Sequence, residues 1–329
     1  ETREDFKEDF LKEDTRKEST REEDFLKKET TDQNYLTSQK QNISAYFCPD
    51  DNCSEILFDL VDNSQKSIYC AVYDISSRDF YNKLTEKEGL DIKIVTDLER
   101  SKSVNSLVGL LKTKDVQIIE SPLTSKLMHN KFCVFDNNIT IVGSMNFTDN
   151  CLYRNNNDFL VIEDKEIASF FLEKIEAYFQ GDFYGEEEIY LLQEDIEIYF
   201  CPDNDCERKI LDVFKEVESS IDCMYFTFTL DDAIYELKDN NNYENIQKRF
   251  MLERRTISQY SVYEFLKELN IPVVLDNNPN TMHNKFCVVD DSYVMTGSLN
   301  ITKRGPTNEE TLIFLYDNDL VKEYKDYFD

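Results

Sequence analysis

The 329-residue chain contains only two histidines and seven glycines, and its 37 Lys and Arg are far outnumbered by 67 Asp and Glu. The scarcity of histidine confines any chemistry needing a side chain that titrates near neutrality to His129 and His283. It also leaves no spare His–carboxylate cluster to hold a metal. No stretch approaches the roughly 18 to 20 consecutive apolar residues of a membrane span, and no signal-peptide core is visible. The chain opens on Glu1 rather than Met, which leaves room for a removed N-terminal segment. A formal net charge of -30 repels nucleic acid and anionic membranes alike at long range, so it weighs against both without choosing between them.

What the chain does have is one pattern written twice. His129, Lys131, Asp136, Gly143, Ser144 and Asn146 read H-x-K-x4-D-x6-G-S-x-N, and His283, Lys285, Asp290, Gly297, Ser298 and Asn300 repeat the spacing. After each His-x-Lys comes an apolar run, then a turn at Asp136-Asn137-Asn138 or Asp290-Asp291-Ser292, then a second apolar run, which predicts two β-hairpins. Strand residues two apart share a face, so His129 pairs with Lys131, His283 with Lys285, Ser144 with Asn146 and Ser298 with Asn300. Two such hairpins face to face surround one point with two imidazoles, two ammonium groups and four neutral hydrogen-bonding side chains. That set suits a tetrahedral phosphate: one neutral imidazole attacks phosphorus, the other gives its proton to the departing oxygen, and the lysines and polar groups hold the remaining oxygens.

The doubled motif resembles the signature of the phospholipase D superfamily, nearest its mitochondrial cardiolipin hydrolase and Zucchini branch. The resemblance implies cleavage or exchange of a phosphodiester through a phosphohistidine, with neither metal nor other cofactor. It implies His129 as nucleophile and His283 as general acid and base, with Lys131, Lys285, Asn146 and Asn300 gripping the phosphate and Ser144 and Ser298 supporting that grip. It further implies a downstream acidic residue orienting each histidine. The candidates are Asp158 for His129, a departure from the family's usual Glu, and Glu310 for His283. Asp136 and Asp290 read as turn residues.

The fold class is α/β, as two tandem phospholipase D-like domains, each a mixed sheet flanked by helices, related by a pseudo-twofold axis. Residues 1–40 are a charged, repetitive segment without a catalytic role, 41–180 the first domain, 181–194 a linker holding two of the seven glycines, and 195–329 the second domain. The offset between matching residues is 153 at Cys48 and Cys201, and 154 at His129 and His283, which marks duplication of a whole domain. Helical spacing predicts a helix over Val104 to Leu111. The basic run from Lys248 to Arg255 reads either as a solvated helix start or as a substrate-contacting loop, with Lys303 and Arg304 adding to it.

Eight of the nine cysteines match between halves: Cys48 with Cys201, Cys53 with Cys206, Cys70 with Cys223 and Cys133 with Cys287, leaving Cys151 alone. They read as buried thiols and helix-capping turns rather than a zinc site, and the odd count with no secretory signal predicts a reducing, intracellular setting, the cytoplasm; a phospholipid substrate would add peripheral membrane contact. The expected protein is a monomer with both half-sites in one chain, a metal-independent phosphodiesterase acting on a phosphatidyl or cardiolipin-type phospholipid. The alternative is an endonuclease on single-stranded RNA or DNA. A non-catalytic phosphate-binding scaffold is disfavoured because neither motif copy is degraded. Lipid use calls for exposed apolar loops or an apolar channel beside the site, nuclease use for a basic groove with stacking aromatics.

Overall fold

The computed structural model describes residues 42–122, 125–185 and 190–329; the segment 1–40 lies outside the described residues. In the first half come β1 (Asn42–Cys48), α1 (Cys53–Asn63), β2 (Ser67–Val72), α2 (Arg78–Thr85), β3 (Asp91–Thr96), β4 (Gln117–Glu120), β5 (Lys131–Phe135), β6 (Ile139–Gly143), β7 (Asn157–Glu163) and α3 (Lys165–Phe179). The second half has an added strand β8 (Tyr190–Leu192) inside the expected linker, then β9 (Ile196–Cys201), α4 (Cys206–Glu216), β10 (Ser220–Tyr225), α5 (Asp231–Asp239), β11 (Gln247–Leu252), β12 (Val273–Leu275), β13 (Lys285–Val289), β14 (Tyr293–Gly297), β15 (Glu310–Leu315) and α6 (Asn318–Phe328).

The first sheet runs β1-β7-β6-β5-β2-β3-β4, and the second runs β12-β11-β10-β13-β14-β15-β9-β8, the same order with β8 added at the edge. In each sheet the β2–β3–β4 or β10–β11–β12 strands are parallel and the rest antiparallel, a mixed α/β architecture. The sheets share one hydrophobic core, in which Phe132 and Val134 of β5, Phe286 and Val288 of β13, Phe171 of α3 and Tyr324 of α6 all lie. The outer sheet faces have cores of their own. Both motif hairpins turn through left-handed residues, Asp136 and Asn137 in one and Asp290 and Asp291 in the other. Asp and Asn tolerate that conformation best after glycine, so the turn chemistry is local.

The motif glycines have a packing reason. A Cβ on Gly143 would stand 2.4 Å from the Asp158 carbonyl oxygen, and one on Gly297 would stand 2.2 Å from that of Thr311. Gly143→Ala or Gly297→Ala must therefore displace β7 or β15. The expected cost is at least about 2 kcal/mol of stability, read by denaturant unfolding.

Three expectations are corrected. The helix over Val104 to Leu111 is reduced to Val108–Leu111, because Ser106 Oγ accepts from Val108 N–H at 3.3 Å and Leu107 N–H is drawn to the Ile75 carbonyl at 3.0 Å. The basic run is neither helix nor open loop. Its first part is β11, where Arg249 is paired with Asp222 and Asp329, and its end is a single turn where Arg254 and Arg255 face Asp276 and Glu253. The cysteines are not thiols: Cys48–Cys53, Cys70–Cys133, Cys201–Cys206 and Cys223–Cys287 are disulfides, and Cys151 alone is free among the described residues. Cys70 and Cys133 are direct cross-strand partners, as are Cys223 and Cys287, which places their Cα atoms 4.0 and 4.1 Å apart. The argument for a reducing setting falls with the thiols, since disulfides belong to oxidising compartments. No helix among the described residues is long and apolar enough to cross a membrane.

Candidate active site

The two hairpins meet at the strand ends where β5 and β13 begin. His129 N–H donates to the Glu309 carbonyl and His283 N–H to the Asn156 carbonyl, each at 2.8 Å across the junction of the halves. Met128 bridges Glu309 and Met282 bridges Asn156 in the same reciprocal way, the contact pattern of a twofold relation. His129, Lys131, Asn146, Ser144, His283, Lys285 and Ser298 are all buried there, and Asn300 is half-buried. Lys131 Nζ donates to the His129 carbonyl at 2.6 Å, and Lys285 Nζ to the His283 carbonyl at 2.7 Å and toward His283 Nε2 at 3.2 Å. The Oδ1 atoms of Asn146 and Asn300 are buried without a protein partner; as acceptors they suit a water or a hydroxyl of the ligand, and only the Nδ2 end of each amide can donate to a phosphate oxygen.

The orienting residues differ from expectation on both sides. Glu310 belongs to His129, not His283: both its oxygens lie 2.8 Å from His129 Nδ1. His283 Nδ1 instead meets Asn157 Oδ1 at 3.1 Å. Asp158 touches neither imidazole. On a strand a shift of one residue reverses the face, and Asp158 points away, where its carboxylate accepts from Ser144 Oγ, Asn284 Nδ2, Thr296 Oγ1 and Tyr324 OH. It is a buried tie between the halves. Asn157 was the residue to find, since the duplication offset of 153 carries it onto Glu310: Cys48 pairs with Asn157 as Cys201 pairs with Glu310.

Sequence reasoning also missed two rings. Tyr73 stands against His129, ring centroids 4.8 Å apart, and Phe226 against His283 at 4.6 Å. The lysines lie over the same rings, Lys131 at 5.3 Å from Tyr73 and Lys285 at 5.2 Å from Phe226. The two rings are also 153 residues apart, just past the ends of β2 and β10. At the hairpin turns, Asp136 accepts from the Gln65, Lys66 and Ser67 N–H groups, and Asp290 from those of Glu218, Ser219 and Ser220. Burial opposes ionisation of Asp136, but these backbone donors hold it below the usual carboxylate range.

Burial and crowding of like charge dominate the electrostatics. Burial, then the Lys131 and Lys285 charges, push the His129 imidazole well below 6.5; burial, then Lys285, Lys131 and His129, do the same to His283. Burial lowers Lys131 to about 8 and, with Lys131 beside it, takes Lys285 well below 10.5. Burial lifts Glu310 to about 8 against the pull of Lys131. A pocket that holds cationic groups below their ordinary values is short of negative charge, and a phosphate supplies it. Two imidazoles, one held by a carboxylate and one by an amide, with paired lysines and a ligand-ready amide on each side, form a site for nucleophilic and acid–base attack on a phosphoryl centre.

The chain belongs to the family described as cardiolipin synthase, PLD-like domain, which matches residues 57–182 and 210–329. It is a phospholipase D-like phosphodiesterase. The chain is 28% identical over 136 residues to the phospholipase D of Rickettsia bellii, which is 41% of this chain and 67% of that protein. To the human mitochondrial cardiolipin hydrolase it is 30% identical over 98 residues, 30% of this chain and 38% of that protein. In fold it is similar to the phosphatidylserine synthase of Haemophilus influenzae, with a TM-score of 0.67 at 14% identity over 87% of this chain and 85% of the other.

Proposed function

We propose that this protein hydrolyses a phospholipid phosphodiester through a phosphohistidine on His129. The observation that carries the reading is the Glu310 carboxylate on His129 Nδ1. In its ionised form, which the Lys131 charge favours against burial, it accepts the Nδ1 proton in a hydrogen bond, leaves the Nε2 lone pair facing the pocket, and offsets the positive charge an imidazole acquires on bonding phosphorus. His283 must enter this step as the imidazolium, its second proton on Nε2 taken up with the anionic phosphate; as the bond from His129 Nε2 to phosphorus forms, the bond from phosphorus to the leaving oxygen breaks and His283 gives that oxygen its Nε2 proton, returning to the neutral Nδ1–H ring. His283 then takes a proton from water, whose oxygen attacks phosphorus and frees His129.

The lipid assignment rests on the loops flanking the two aromatic rings. After β3, the loop that carries Arg100, whose guanidinium lies 5.9 Å from Tyr73, also carries Val104, 97% exposed. After β11, the loop whose Thr256 Oγ1 donates to the Phe226 carbonyl carries Tyr260, 70% exposed. Arginines of these loops are already matched: Arg100 by Asp74, Arg254 by Asp276 and Arg255 by Glu253. One exposed apolar side chain on each loop, Val104 and Tyr260, over neutralised cations fits a lipid interface better than a polyanionic strand. Exposed Lys303 and Arg304 beyond Asn300 are what favours the second reading, an endonuclease on single-stranded nucleic acid. Pure protein in EDTA is tested against cardiolipin and phosphatidyl vesicles and against labelled single-stranded RNA and DNA. We expect phosphatidate release from vesicles, undiminished by the chelator, because histidine supplies nucleophile and proton. Cleavage of nucleic acid alone would reverse the substrate assignment, and activity lost in EDTA but restored by metal would overturn the mechanism.

A further inference from the structure

The duplicated site is symmetric in its histidines, lysines, serines and asparagines, and asymmetric at two pairs: the rings Tyr73 and Phe226, and the Nδ1 partners Asn157 and Glu310. Asn157 is fully buried, and both the direction of its amide and its reach are fixed. Its Nδ2 donates to the carbonyls of Cys151 and Asn155, each at 3.2 Å, so both amide hydrogens are used on acceptors that a reversed amide would repel. Oδ1 is left facing His283 Nδ1 at 3.1 Å, and an oxygen acceptor there requires a proton on Nδ1. The other ring nitrogen, Nε2, receives Lys285 Nζ at 3.2 Å.

We propose that Asn157 is a positioning residue that divides the work between the two histidines: it locks His283 as the Nδ1–H tautomer and withholds the counter-charge that Glu310 gives His129. The inference deepens the phosphohistidine reading and rests on it for the roles, while the locked tautomer stands on the resting protein alone. The charged groups facing His283 are Lys285 from its own strand and Lys131 and His129 from the first half, and no carboxylate among the described residues acts on it directly. An imidazolium there has only two uncharged acceptors to lean on, the Asn157 amide and the Ser144 backbone carbonyl, and surrenders its proton readily, which is what a leaving oxygen needs. At His129 the carboxylate favours the cationic ring, which is what a phosphoryl acceptor needs.

The two-histidine content makes the test direct. In protein labelled with nitrogen-15 histidine, long-range proton–nitrogen correlation spectra show two rings, assigned by the His129→Gln variant. The His283 ring is expected as the Nδ1–H tautomer at neutral pH, taking up a proton at lower pH than the His129–Glu310 pair. An Nε2–H tautomer at His283, or protonation of His283 before the His129–Glu310 pair, would overturn the proposal whatever the activity assays show. Asn157→Asp places a carboxylate on His283 and is expected to move its titration, and the matching limb of the kcat/KM–pH profile, up by about one unit or more. A folded Asn157→Asp protein with both unmoved would also overturn it. If that variant does not fold, the wild-type spectra decide. A purely structural asparagine would alter unfolding without moving either titration.

Discussion

Replacing His283 by Asn is expected to cut steady-state turnover by about 1,000-fold and to leave a phosphoryl adduct on His129 after acid quench. The reasoning is that general acid–base assistance contributes on the order of 100- to 10,000-fold, and His283 is used twice, first as acid and then as base toward water. A substrate with a good leaving group needs little of the first contribution, so its first step survives while hydrolysis of the intermediate stalls. Adduct accumulation should therefore be strongest with activated esters. His129→Ala should give neither turnover nor adduct. Label recovered on residue 283 in a His129 variant would exchange the roles, and absence of label in every variant and with every ester would remove the covalent mechanism.

Glu310→Gln is the second large effect, with kcat expected to fall by roughly 100- to 10,000-fold and KM little changed. Glu310 is buried, receives Ser298 Oγ at 2.5 Å and places both oxygens on His129 Nδ1. A glutamine keeps the shape but turns an NH2 toward one of these partners. If it donates to Nδ1, the imidazole proton moves to Nε2 and the attacking lone pair is gone. If its oxygen faces Nδ1 instead, the ring is oriented as His283 is by Asn157, but the charge that steadies the phosphohistidine is lost. Both outcomes act on the reacting state more than on binding. A variant retaining more than about a tenth of wild-type kcat would mean that the carboxylate does not support the nucleophile.

The sequence carried the chemistry of the site further than its wiring. The doubled motif holds the histidines, lysines, serines and asparagines of the pocket but not Tyr73, Phe226 or Asn157, since period-two alternation decides which side chains of a strand share a face and the turn residues Asp136 and Asp290 decide where the hairpins close. Which carboxylate serves which histidine is a matter of contact between halves, and spacing along the chain says nothing of that. Choosing Asp158 over Asn157 followed the residue type the family uses rather than the register, and one residue on a strand is the difference between facing His283 and facing Ser144, Thr296 and Tyr324. The cross-strand cysteines hid for the same reason: Cys70 lies 63 residues from Cys133 along the chain and opposite it in the sheet. The helix ending at Leu111 was overread because apolar spacing continued through a stretch where Ser106 and the Ile75 carbonyl had already claimed the backbone.

Because each histidine borrows its partner from the other half, residue 157 serves the second motif and residue 310 the first. Had the same unit been a separate polypeptide pairing with its own copy, any substitution at this position would have appeared beside both imidazoles at once, and an asparagine would have stripped the carboxylate from the nucleophile as well as from the acid. Joining the copies in one chain removes that constraint. Each half is free to specialise the other's histidine, and the Asn157–Glu310 difference is heritable only because two codons now encode what one would have encoded in a symmetric dimer. The same wiring means that two first halves cannot substitute for the natural pair, since each His129 would then meet Asn157 instead of Glu310.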